Sequence, residues 1–337
     1  MHCARTPLPF PADNRQRRAG RTARRSASVP RRRLAIGVLL FAATAGACSP
    51  DAATRPPTDA AERIVSLAPS ATEVLFEAGC GSRLVGVTSY CVFPADAAAL
   101  PKVGGYLTPS YEAIMALRPD VVVVLPEHED ARQDLAALDL DVVEFDHRTI
   151  DAILDSVETA GELCGQRGTA ERVVAELTHL LRRVEVVVSG RTRPRVVVSV
   201  SRGEERGFGS LSAAGPGGIY DDVLFRAGGR NAVPPGPVLH PTLSAESLLR
   251  LDPDAIVELA AGAKDEKLRD DWRALASLNA VRRKRVFVFT GDFLPVPGPR
   301  LVRFVETVAR ALHPDARWRE PIETAAPRTK GLEAWRR

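Results

Sequence analysis

Two segments of the chain repeat one pattern, and this repeat constrains the fold more strongly than any other feature of the sequence. Residues 110–125 align without gaps on residues 244–259, and seven of the sixteen positions are identical. Each copy predicts a helix, a Pro-Asp turn and an apolar strand, because the proline cannot continue the helix. A continuously apolar strand is typical of a parallel sheet that is covered on both faces. The repeat therefore predicts two similar α/β lobes.

The residues around the repeat alternate between strand and helix patterns in the same way. Strands are predicted at 63–67, 84–88, 121–125, 142–145, 195–200, 255–259 and 285–289, and helices at 70–78, 111–117, 131–138, 219–227, 244–251, 272–278 and 299–312. Ser70 and Glu73 have the spacing of a capping box at the start of the first helix. Such alternation favours parallel sheets. Residues 150–188 show no strand signal and predict two helices, 150–163 and 169–187, that join the lobes.

The N-terminus has the pattern of an export signal. Arg31–Arg33 precede a ten-residue apolar run, Leu34–Ala43, and small residues then lead to Cys48. This order is the signature of a secretory signal, and ten apolar residues are too few to span a bilayer. The residues before Cys48 resemble the bacterial lipobox, whose cysteine is acylated, although Ala45 stands where leucine is preferred. We expect a leader at 1–48 and a lipidated Cys48; an ordinary secretory signal with an incidental cysteine is the alternative.

Two further parts of the N-terminal region are interpreted from their composition. Residues 49–61 are rich in Pro, Ala and Thr and predict a flexible tether. Residues 1–28 are rich in arginine and precede a signal that is already complete, which suggests that translation starts at Val29. A twin-arginine export signal that includes residues 31–34 is the alternative.

Net charge argues against a nucleic-acid-binding protein. The formal charge is +4, but residues 1–48 hold ten of the 46 basic residues and one of the 42 acidic residues, which leaves 36 basic against 41 acidic residues. The remainder of the chain therefore lacks the basic surplus that a nucleic-acid-binding body needs. We expect no nucleic-acid partner.

The cysteines leave two alternatives open. Cys80, Cys91 and Cys164 follow the leader cysteines Cys3 and Cys48, and they show neither CxxC spacing nor a spacing typical of a metal site. Outside the cytoplasm one pair is able to form a disulfide, and Cys80 and Cys91 are nearest in the sequence. Three buried thiols are the equal alternative, since free cysteine is common in protein cores.

Four motifs in order along the chain resemble one known group of proteins. They are Ile64–Glu73 (IVSLAPSATE), Leu84–Tyr90 (LVGVTSY), Tyr111–Asp120 (YEAIMALRPD) and Ala227–Asn231 (AGGRN). Together they resemble the solute-binding proteins of bacterial ABC importers for iron–siderophores, haem and vitamin B12. The resemblance implies an α/β fold of two Rossmann-like lobes with mainly parallel sheets, joined by a long backbone helix, with the ligand cleft between the lobes.

The resemblance covers residues 62–313 and implies a division of the chain. The lobes are expected at 62–147 and 191–313, and a helical linker at 148–190. Residues 314–337 are rich in proline and charge and predict a loose C-terminal tail.

The resemblance also implies a receptor rather than an enzyme. Such proteins capture a metal chelate, by preference here a ferric siderophore, with cobalamin or haem as the other ligands, and they hold no permanent cofactor. They deliver the chelate to a permease dimer that a cytoplasmic ATPase drives. We therefore expect an exported monomer that lies in the periplasm or at the cell surface. The lipid on Cys48 is expected to anchor it to the membrane.

Two other functions are weighed from the motifs. A periplasmic hydrolase is one alternative, but the sequence lacks a GxSxG elbow, a P-loop and an HExxH motif. A receptor for bare zinc or manganese is the other, and it needs a histidine-rich ligand set. The chain has six histidines, including His2 of the leader. We expect no metal site formed by the protein alone.

One glutamate in each copy of the repeat matches a docking position of the family. These residues are Glu112 and Glu246; in the family, a surface glutamate on each lobe pairs with arginines of the permease dimer. One carboxylate on each lobe offers a two-point anchor for guanidinium groups. The alternative is that both are solvated glutamates favoured by the positive end of a helix dipole.

Alignment with the vitamin B12-binding members of the group predicts six residues that line the cleft. They are Tyr90, Tyr106, Leu125, Phe208, His240 and Asp292. Three of them, Tyr106, Leu125 and His240, stand where those members carry tryptophan, and Val296 stands where they carry an arginine. These departures argue against a large flat corrinoid, which gains most from broad aromatic contact.

Two more candidates follow predicted strands, at the edge where α/β sheets bind ligands. Arg202 is able to pair with an anionic ferric chelate. His128 is able, together with His240 of the other lobe, to ligate an iron atom that its chelator leaves open. The alternative is that both histidines are exposed loop residues.

Overall fold

The valine- and isoleucine-rich runs form two separate sheets in the computed structural model, which describes residues 60–202, 211–262, 268 and 270–318. The strands of the first sheet are β1 (Ile64–Ser66), β2 (Leu84–Val87), β3 (Val121–Val124) and β4 (Asp141–Glu144). They lie in the order β2-β1-β3-β4 and all pairs are parallel. The helices of this half are α1 (Pro69–Glu77), α2 (Ala95–Ala98), α3 (Tyr111–Ala116) and α4 (Glu129–Ala137).

The side chains of β3 show that the first sheet is covered on both faces. All four of its valines are buried. Val121 and Val123 belong to one hydrophobic cluster, whereas Val122 and Val124 belong to another, because successive side chains of a strand point to opposite faces. The continuously apolar pattern of this strand therefore reflects burial on both faces of the sheet, as the sequence predicted.

The second sheet, in the described part of the chain, has six strands. They are β5 (Arg195–Arg202), β6 (Leu211–Ala213), β7 (Arg230–Asn231), β8 (Thr242–Leu243), β9 (Ala255–Leu259) and β10 (Val286–Phe289). Their order is β10-β9-β5-β6-β8, and β7 pairs with β5. The pairs β10–β9, β9–β5 and β5–β7 are parallel. β6 pairs antiparallel with β5 on one side and with β8 on the other. The helices of this half are α7 (Ile219–Arg226), α8 (Ala245–Leu251), α9 (Asn279–Arg282) and α10 (Pro299–Leu312).

The predicted fold class, α/β with two lobes of mainly parallel sheets, is therefore confirmed. β6, β7 and β8 are not predicted by the sequence, because each has only two or three residues and carries too little periodicity to be recognised.

The two copies of the repeat adopt the same local structure. Ser110 and Ser244 cap α3 and α8, and each hydroxyl accepts a hydrogen bond from the backbone N–H three residues further on. Asp120 and Asp254 precede β3 and β9, and each carboxylate accepts a hydrogen bond of 2.8 Å from a backbone N–H at the start of the first strand of its own lobe. The repeat is thus a structural unit and not only a similarity of composition.

Two arginines extend this unit beyond the aligned residues. Arg63 immediately precedes β1, and Arg195 begins β5. The guanidinium of Arg63 donates to the carbonyl oxygen of Leu117, and that of Arg195 donates to the carbonyl oxygen of Leu251. Each arginine therefore stabilises the C-terminal carbonyl groups of the helix in its own lobe.

Two helices, α5 (Ile150–Leu163) and α6 (Arg167–Val188), connect the lobes. The hydroxyl of Thr149 caps α5 by accepting from the N–H of Ala152. α6 has 22 residues, which makes it about 33 Å long at 1.5 Å per residue. It packs against α5 and α10. The break between the helices lies where the sequence predicted it, although α6 begins two residues earlier.

A disulfide joins Cys80 to Cys164. The bond ties the end of α1 to the end of α5 across 84 residues of sequence. Cys91 is a buried free thiol, 3.2 Å from the hydroxyl oxygens of Thr72 and Thr88. The alternative that pairs Cys80 with its sequence neighbour Cys91 is therefore wrong, and so is the alternative of three free thiols. Helix packing, rather than sequence distance, decides the pairing.

The predicted capping box at the start of α1 is also wrong. Pro69 occupies the first helical position, and the N-cap is Ala68, whose side chain makes no capping bond. Ser70 and Glu73 are both buried and bind other partners, His147 and Arg300. The proline starts the helix one residue early, and tertiary contacts then recruit the two polar side chains.

The predicted helix at 272–278 is a shorter structure. Trp272–Leu275 form a 3-10 turn, and the short helix α9 follows at Asn279–Arg282. Trp272 is fully buried, and its indole N–H donates to the carboxylate of Glu258 at 2.6 Å. This hydrogen bond fixes the segment by a side chain rather than by a continued helix.

All described residues belong to one compact unit, Arg55–Arg337, which is not divided further. The expected boundaries of the lobes, the linker and the tail therefore stay predictions. The predicted leader, tether and most of the tail lie outside the described residues. Within the part of the chain that the structure describes, no helix has the length and apolar character needed to cross a membrane.

Candidate ligand-binding cleft

Tyr90, Tyr106 and Leu125 come together on the loops that follow β2 and β3. Tyr90 is 63% exposed, and its ring lies beside Gly105. Leu125 is buried at the end of β3. The carboxyl ends of parallel strands meet at one edge of the sheet, so these loops lie where the sequence predicted the N-terminal side of the cleft. Tyr90 and the half-buried Tyr106 contribute exposed aromatic surface to this edge.

Tyr106 is held by its neighbour His128. The two rings are 4.8 Å apart in an edge-to-face arrangement. Burial, together with the nearby charge of Glu127, raises the pKa of Tyr106 to about 12. The phenol therefore stays protonated at neutral pH and is able to donate a hydrogen bond to an acceptor in the cleft.

His128 is not an exposed loop residue, and no ring nitrogen is left for a metal. The side chain is buried. Its Nδ1 accepts a hydrogen bond of 2.9 Å from the backbone N–H of Leu125, and its Nε2 lies 2.9 Å from the carbonyl oxygen of Tyr106. An accepting Nδ1 requires a proton on Nε2, which then donates to that carbonyl. Burial lowers the pKa of His128, which favours this neutral form. The residue shapes the loop and does not ligate iron.

Asp292 lies on the loop that follows β10, on the C-terminal side. Its carboxylate is 73% exposed and accepts a hydrogen bond of 3.0 Å from the guanidinium of Arg300. The resemblance implies an arginine at position 296, where this chain has a valine. The arginine that pairs with Asp292 instead lies on the first turn of α10, and only the structure brings it there.

Arg300 connects the two sides of the cleft. Its guanidinium lies 3.9 Å from the ring centre of Phe93, on the loop that carries Tyr90, and 5.5 Å from the ring centre of Phe293, beside Asp292. Its Nε donates to the buried carboxylate of Glu73 at 3.0 Å. Burial raises the pKa of Glu73, and the Arg300 charge and hydrogen bond oppose this rise.

Arg202 is not placed as the sequence predicted. Its side chain is 7% exposed, and its Nε donates at 2.5 Å to Glu258, which is buried in β9. Its Nη2 lies 3.6 Å from the carboxylate of Asp271, and its guanidinium lies against Trp272. A guanidinium held by two carboxylates inside the C-terminal lobe is not available to pair with an anionic chelate. Burial raises the pKa of Glu258, and Arg202 opposes the rise.

His240 contacts Tyr220, which in turn binds the loop that carries Asp292. It is exposed, and its ring centre is 6.2 Å from that of Tyr220. The hydroxyl of Tyr220 donates to the carbonyl oxygen of Leu294 at 2.7 Å. Burial raises the pKa of Tyr220 to about 12, so this phenol remains a donor. The contact holds the His240 segment beside the loop that carries Asp292.

His147 is a buried polar residue that sequence reasoning missed. It follows β4, and its Nδ1 lies 2.8 Å from the hydroxyl of Ser70. Its Nε2 has no hydrogen-bond partner among the described residues. Burial lowers the pKa of His147 to about 4, so the ring is neutral at physiological pH. No motif in the sequence distinguishes this histidine from a surface histidine.

Two predicted residues lie outside the described part of the chain. Phe208 belongs to the segment 203–210, and Cys48 belongs to the N-terminal region. Within the described residues, no group of three or more His, Cys, Asp or Glu side chains is arranged to hold a metal ion.

Glu112 and Glu246 occupy equivalent positions on the two lobes. Each lies in the first turn of its helix, two residues after the capping serine, and each is exposed. The carboxylate of Glu246 lies 3.1 Å from Arg250 on the next turn of α8. Such an exposed ion pair is weak, so it leaves the glutamate accessible to a stronger partner.

Comparison with known proteins adds to this geometry. The family model described as periplasmic binding protein matches residues 64–292. This chain belongs to the periplasmic binding protein family. Members of the family are binding proteins rather than enzymes, and the match includes both sheets described above.

Three relatives of this periplasmic binding protein show the range of the family. The crystal structure of the periplasmic vitamin B12-binding protein of Vibrio cholerae superposes with a TM-score of 0.66 at 27% identity, over 75% of this chain and 96% of that chain. A periplasmic haem-binding protein from Pseudomonas aeruginosa gives a TM-score of 0.65 at 26% identity, over 76% and 94%. An uncharacterized ABC transporter substrate-binding lipoprotein of Bacillus subtilis is 28% identical over 75% of this chain and 81% of its own length.

Proposed function

We propose that this periplasmic binding protein is the receptor of an ABC importer and captures a metal chelate between its two lobes. The observation that carries the proposal is Arg300, which contacts the Tyr90 loop through Phe93 and the Asp292 loop through its ion pair. These contacts support one site between the loops at the carboxyl ends of both sheets, where α/β proteins bind ligands. Relatives that bind vitamin B12 and haem support a metal complex as the ligand.

A ferric siderophore is the preferred ligand, and cobalamin and haem are the alternatives. Tyr106, Leu125 and His240 take the place of the tryptophans on which a flat ring would stack, and Leu125 is buried. The phenols of Tyr90 and Tyr106 suit the oxygen-rich surface of a compact ferric chelate, which needs hydrogen bonds more than broad stacking. An exposed His240 is the observation that favours haem, because a neutral imidazole is a common axial ligand of haem iron.

The ligand residues in this proposal are Tyr90, Tyr106, His240 and Asp292, with Phe208 retained from the sequence comparison. Leu125 contributes the floor of the N-terminal side. Arg202 and His128 are left out, because their polar atoms are engaged within the protein.

Delivery to a permease dimer rests on Glu112 and Glu246. The equivalent exposed positions of the two carboxylates on the two repeats match a partner that has two equivalent arginine sites, as a two-fold symmetric dimer has. A lipid on Cys48, followed by the tether 49–61, would keep the receptor near that permease. The lipoprotein relative of Bacillus subtilis supports this anchor.

The experiment uses the chain without its leader, starting at Ser49, and a panel of ferric siderophores, haem and cobalamin. Native mass spectrometry with an absorption spectrum is expected to find one adduct with its own chromophore. Tyr90→Ala is expected to weaken binding at least tenfold. Phe225→Ala is the matched control, since Phe225 is 62% exposed against 63% for Tyr90 but lies on α7. A chain that binds no member of the panel contradicts the proposal.

A further inference from the structure

Arg300 at the cleft and Arg202 inside the C-terminal lobe are each held by two carboxylates. Arg300 donates to buried Glu73 and to exposed Asp292. Arg202 donates to buried Glu258 and lies 3.6 Å from Asp271. In both cases one guanidinium meets two carboxylates. Each set therefore carries a surplus of negative charge when its carboxylates are ionised.

The other charged residues at the strand ends do not reverse this balance. Arg148 follows β4 and is paired with Asp146 at 2.5 Å. Glu127 follows β3 and is exposed, and its charge reaches the Tyr106 phenol. Lys102 is exposed, but its ammonium donates to the carbonyl oxygens of Cys91 and Ala97. In the described part of the cleft, negative charge therefore exceeds positive charge.

We infer that the cleft selects neutral or cationic metal chelates and discriminates against anionic ones. This inference rests on the proposed function and names the charge class of its ligand. An anionic chelate has to approach Asp292 and Glu127, and the guanidinium groups beside them are already engaged with carboxylates. Removing such a ligand from water without a cationic partner is unfavourable. A neutral chelate avoids this cost, and a cationic one is attracted.

The size of the effect follows from Coulomb's law. One unit charge about 10 Å from another, at an effective dielectric constant of about 20, changes affinity roughly tenfold. The attraction of a cationic chelate weakens as salt is added, because the Debye length falls from about 10 Å at 0.1 M to about 3 Å at 1 M.

The test uses ligand sets that differ in charge and share one metal centre. The ferric complexes of desferrioxamine B, N-acetyl-desferrioxamine B and N-succinyl-desferrioxamine B are cationic, neutral and anionic. Aquacobalamin and cyanocobalamin are cationic and neutral, and haem and its dimethyl ester are anionic and neutral. We expect at least one of these three sets to bind the chain without its leader. Among the members of that set, affinity is expected to fall roughly tenfold for each added negative charge on the ligand.

Two variants locate the effect. Asp292→Asn removes one negative charge beside Arg300 and is expected to reduce the preference against the anionic member by roughly tenfold. Asp151→Asn is the matched control. Asp151 is also 73% exposed and pairs with an arginine, Arg226, that a second carboxylate shares, but it lies on α5 and its arginine lies on α7. It is expected to leave the preference unchanged.

The outcomes separate this inference from the proposed function. An anionic member that binds as tightly as its neutral counterpart, or more tightly, overturns the inference and leaves the receptor function standing. An equal change in preference in Asp151→Asn and Asp292→Asn overturns the assignment of the effect to the cleft. A chain that binds none of the three sets overturns the proposed function and this inference with it.

Discussion

Glu73 in α1 and Arg300 in α10 are 227 residues apart and form a buried ion pair. Their side chains are 2% and 11% exposed. The same guanidinium contacts Phe93 and Asp292 on the two sides of the cleft. One interaction thus joins the lobes and sets the relative position of the loops that would hold a ligand.

Removing Arg300 should destabilise the protein strongly. Arg300→Met leaves Glu73 buried without its cation, and breaking a buried pair in this way costs about 3–5 kcal/mol. Adding Glu73→Gln should recover part of the loss, since it removes the buried charge. Urea unfolding curves measure both effects.

The neighbouring Arg303 provides the control for this prediction. It pairs with Glu77 at 3.2 Å and with Glu176 at 3.4 Å, and its side chain is 25% exposed. Arg303→Met should cost less, about 1 kcal/mol, because solvent screens the pair. Equal losses in the two variants would show that burial of Glu73 does not decide the stability.

Ligand binding should close the lobes only slightly. Besides the Glu73–Arg300 pair, the backbone N–H of Ile150 donates to Asp222 at 2.8 Å, and Arg303 binds Glu77 of α1. These contacts tie α1, α5, α7 and α10 together and leave little freedom for a hinge. Small-angle scattering of the free chain and of the chain loaded with the chelate from the panel should give nearly the same curve. A large domain rotation on loading would contradict this expectation.

His147 should make stability depend on pH. Its pKa is about 4 in the folded chain, against about 6.5 for an exposed histidine. The unfolded chain therefore binds more protons between these values, so stability falls as the pH falls from about 6.5 to about 4. The loss from this residue approaches about 3 kcal/mol at the lower end.

The variant His147→Asn isolates this contribution. Asparagine retains a polar group near Ser70 but does not titrate. The variant should be less stable at pH 7, and its stability should decline less between pH 6.5 and pH 4, as measured by urea unfolding at a series of pH values. Parallel profiles for the two proteins would rule out a titrating His147.

The disulfide should contribute much of the stability. Cys80 and Cys164 are separated by 84 residues, and the loop-entropy model gives about 4.5 kcal/mol for a loop of this length. The double substitution Cys80→Ala with Cys164→Ala should lose this amount. Cys91→Ala, at the buried free thiol, should lose less. In a chain that starts at Ser49, thiol labelling without reductant should modify Cys91 alone, and only after denaturation.

The two glutamates proposed for docking should affect transport and not binding. Glu112→Arg with Glu246→Arg should abolish uptake of the chelate, because like charges would then face the permease arginines. Glu158→Arg with Glu171→Arg, two exposed positions on α5 and α6, is the control and should transport normally. Uptake in cells and affinity in solution are measured for both pairs. Loss of affinity in the docking variant would exclude a role limited to docking.

Several elements could be predicted from the sequence because their signals are local. α10 spans Pro299–Leu312 and α5 spans Ile150–Leu163, as predicted, since a long apolar stripe and a capping threonine define them. β9 and β3 follow directly from their buried runs after Pro-Asp. The mainly parallel class of the two sheets follows from the alternation of these elements.

The candidate site could be predicted only in part. Tyr90 and Asp292 are found at loop positions with exposed side chains, because strand ends are visible in the sequence. His128 and Arg202 follow strands in the same way, yet both are held inside the protein by partners that the sequence does not reveal. A residue's place after a strand fixes its region and not the direction in which its polar atoms point.

The sequence by itself determined the two-lobed α/β plan, the helical connection and the repeated serine, glutamate and Pro-Asp positions, because turns, caps and apolar periodicity act over a few residues. The tertiary structure alone decided which cysteines pair, that Arg300 reaches Glu73 and Asp292, and that His147 is buried. These outcomes depend on contacts between residues far apart in the chain. Only the packing of the helices on the sheets brings such residues within bonding distance.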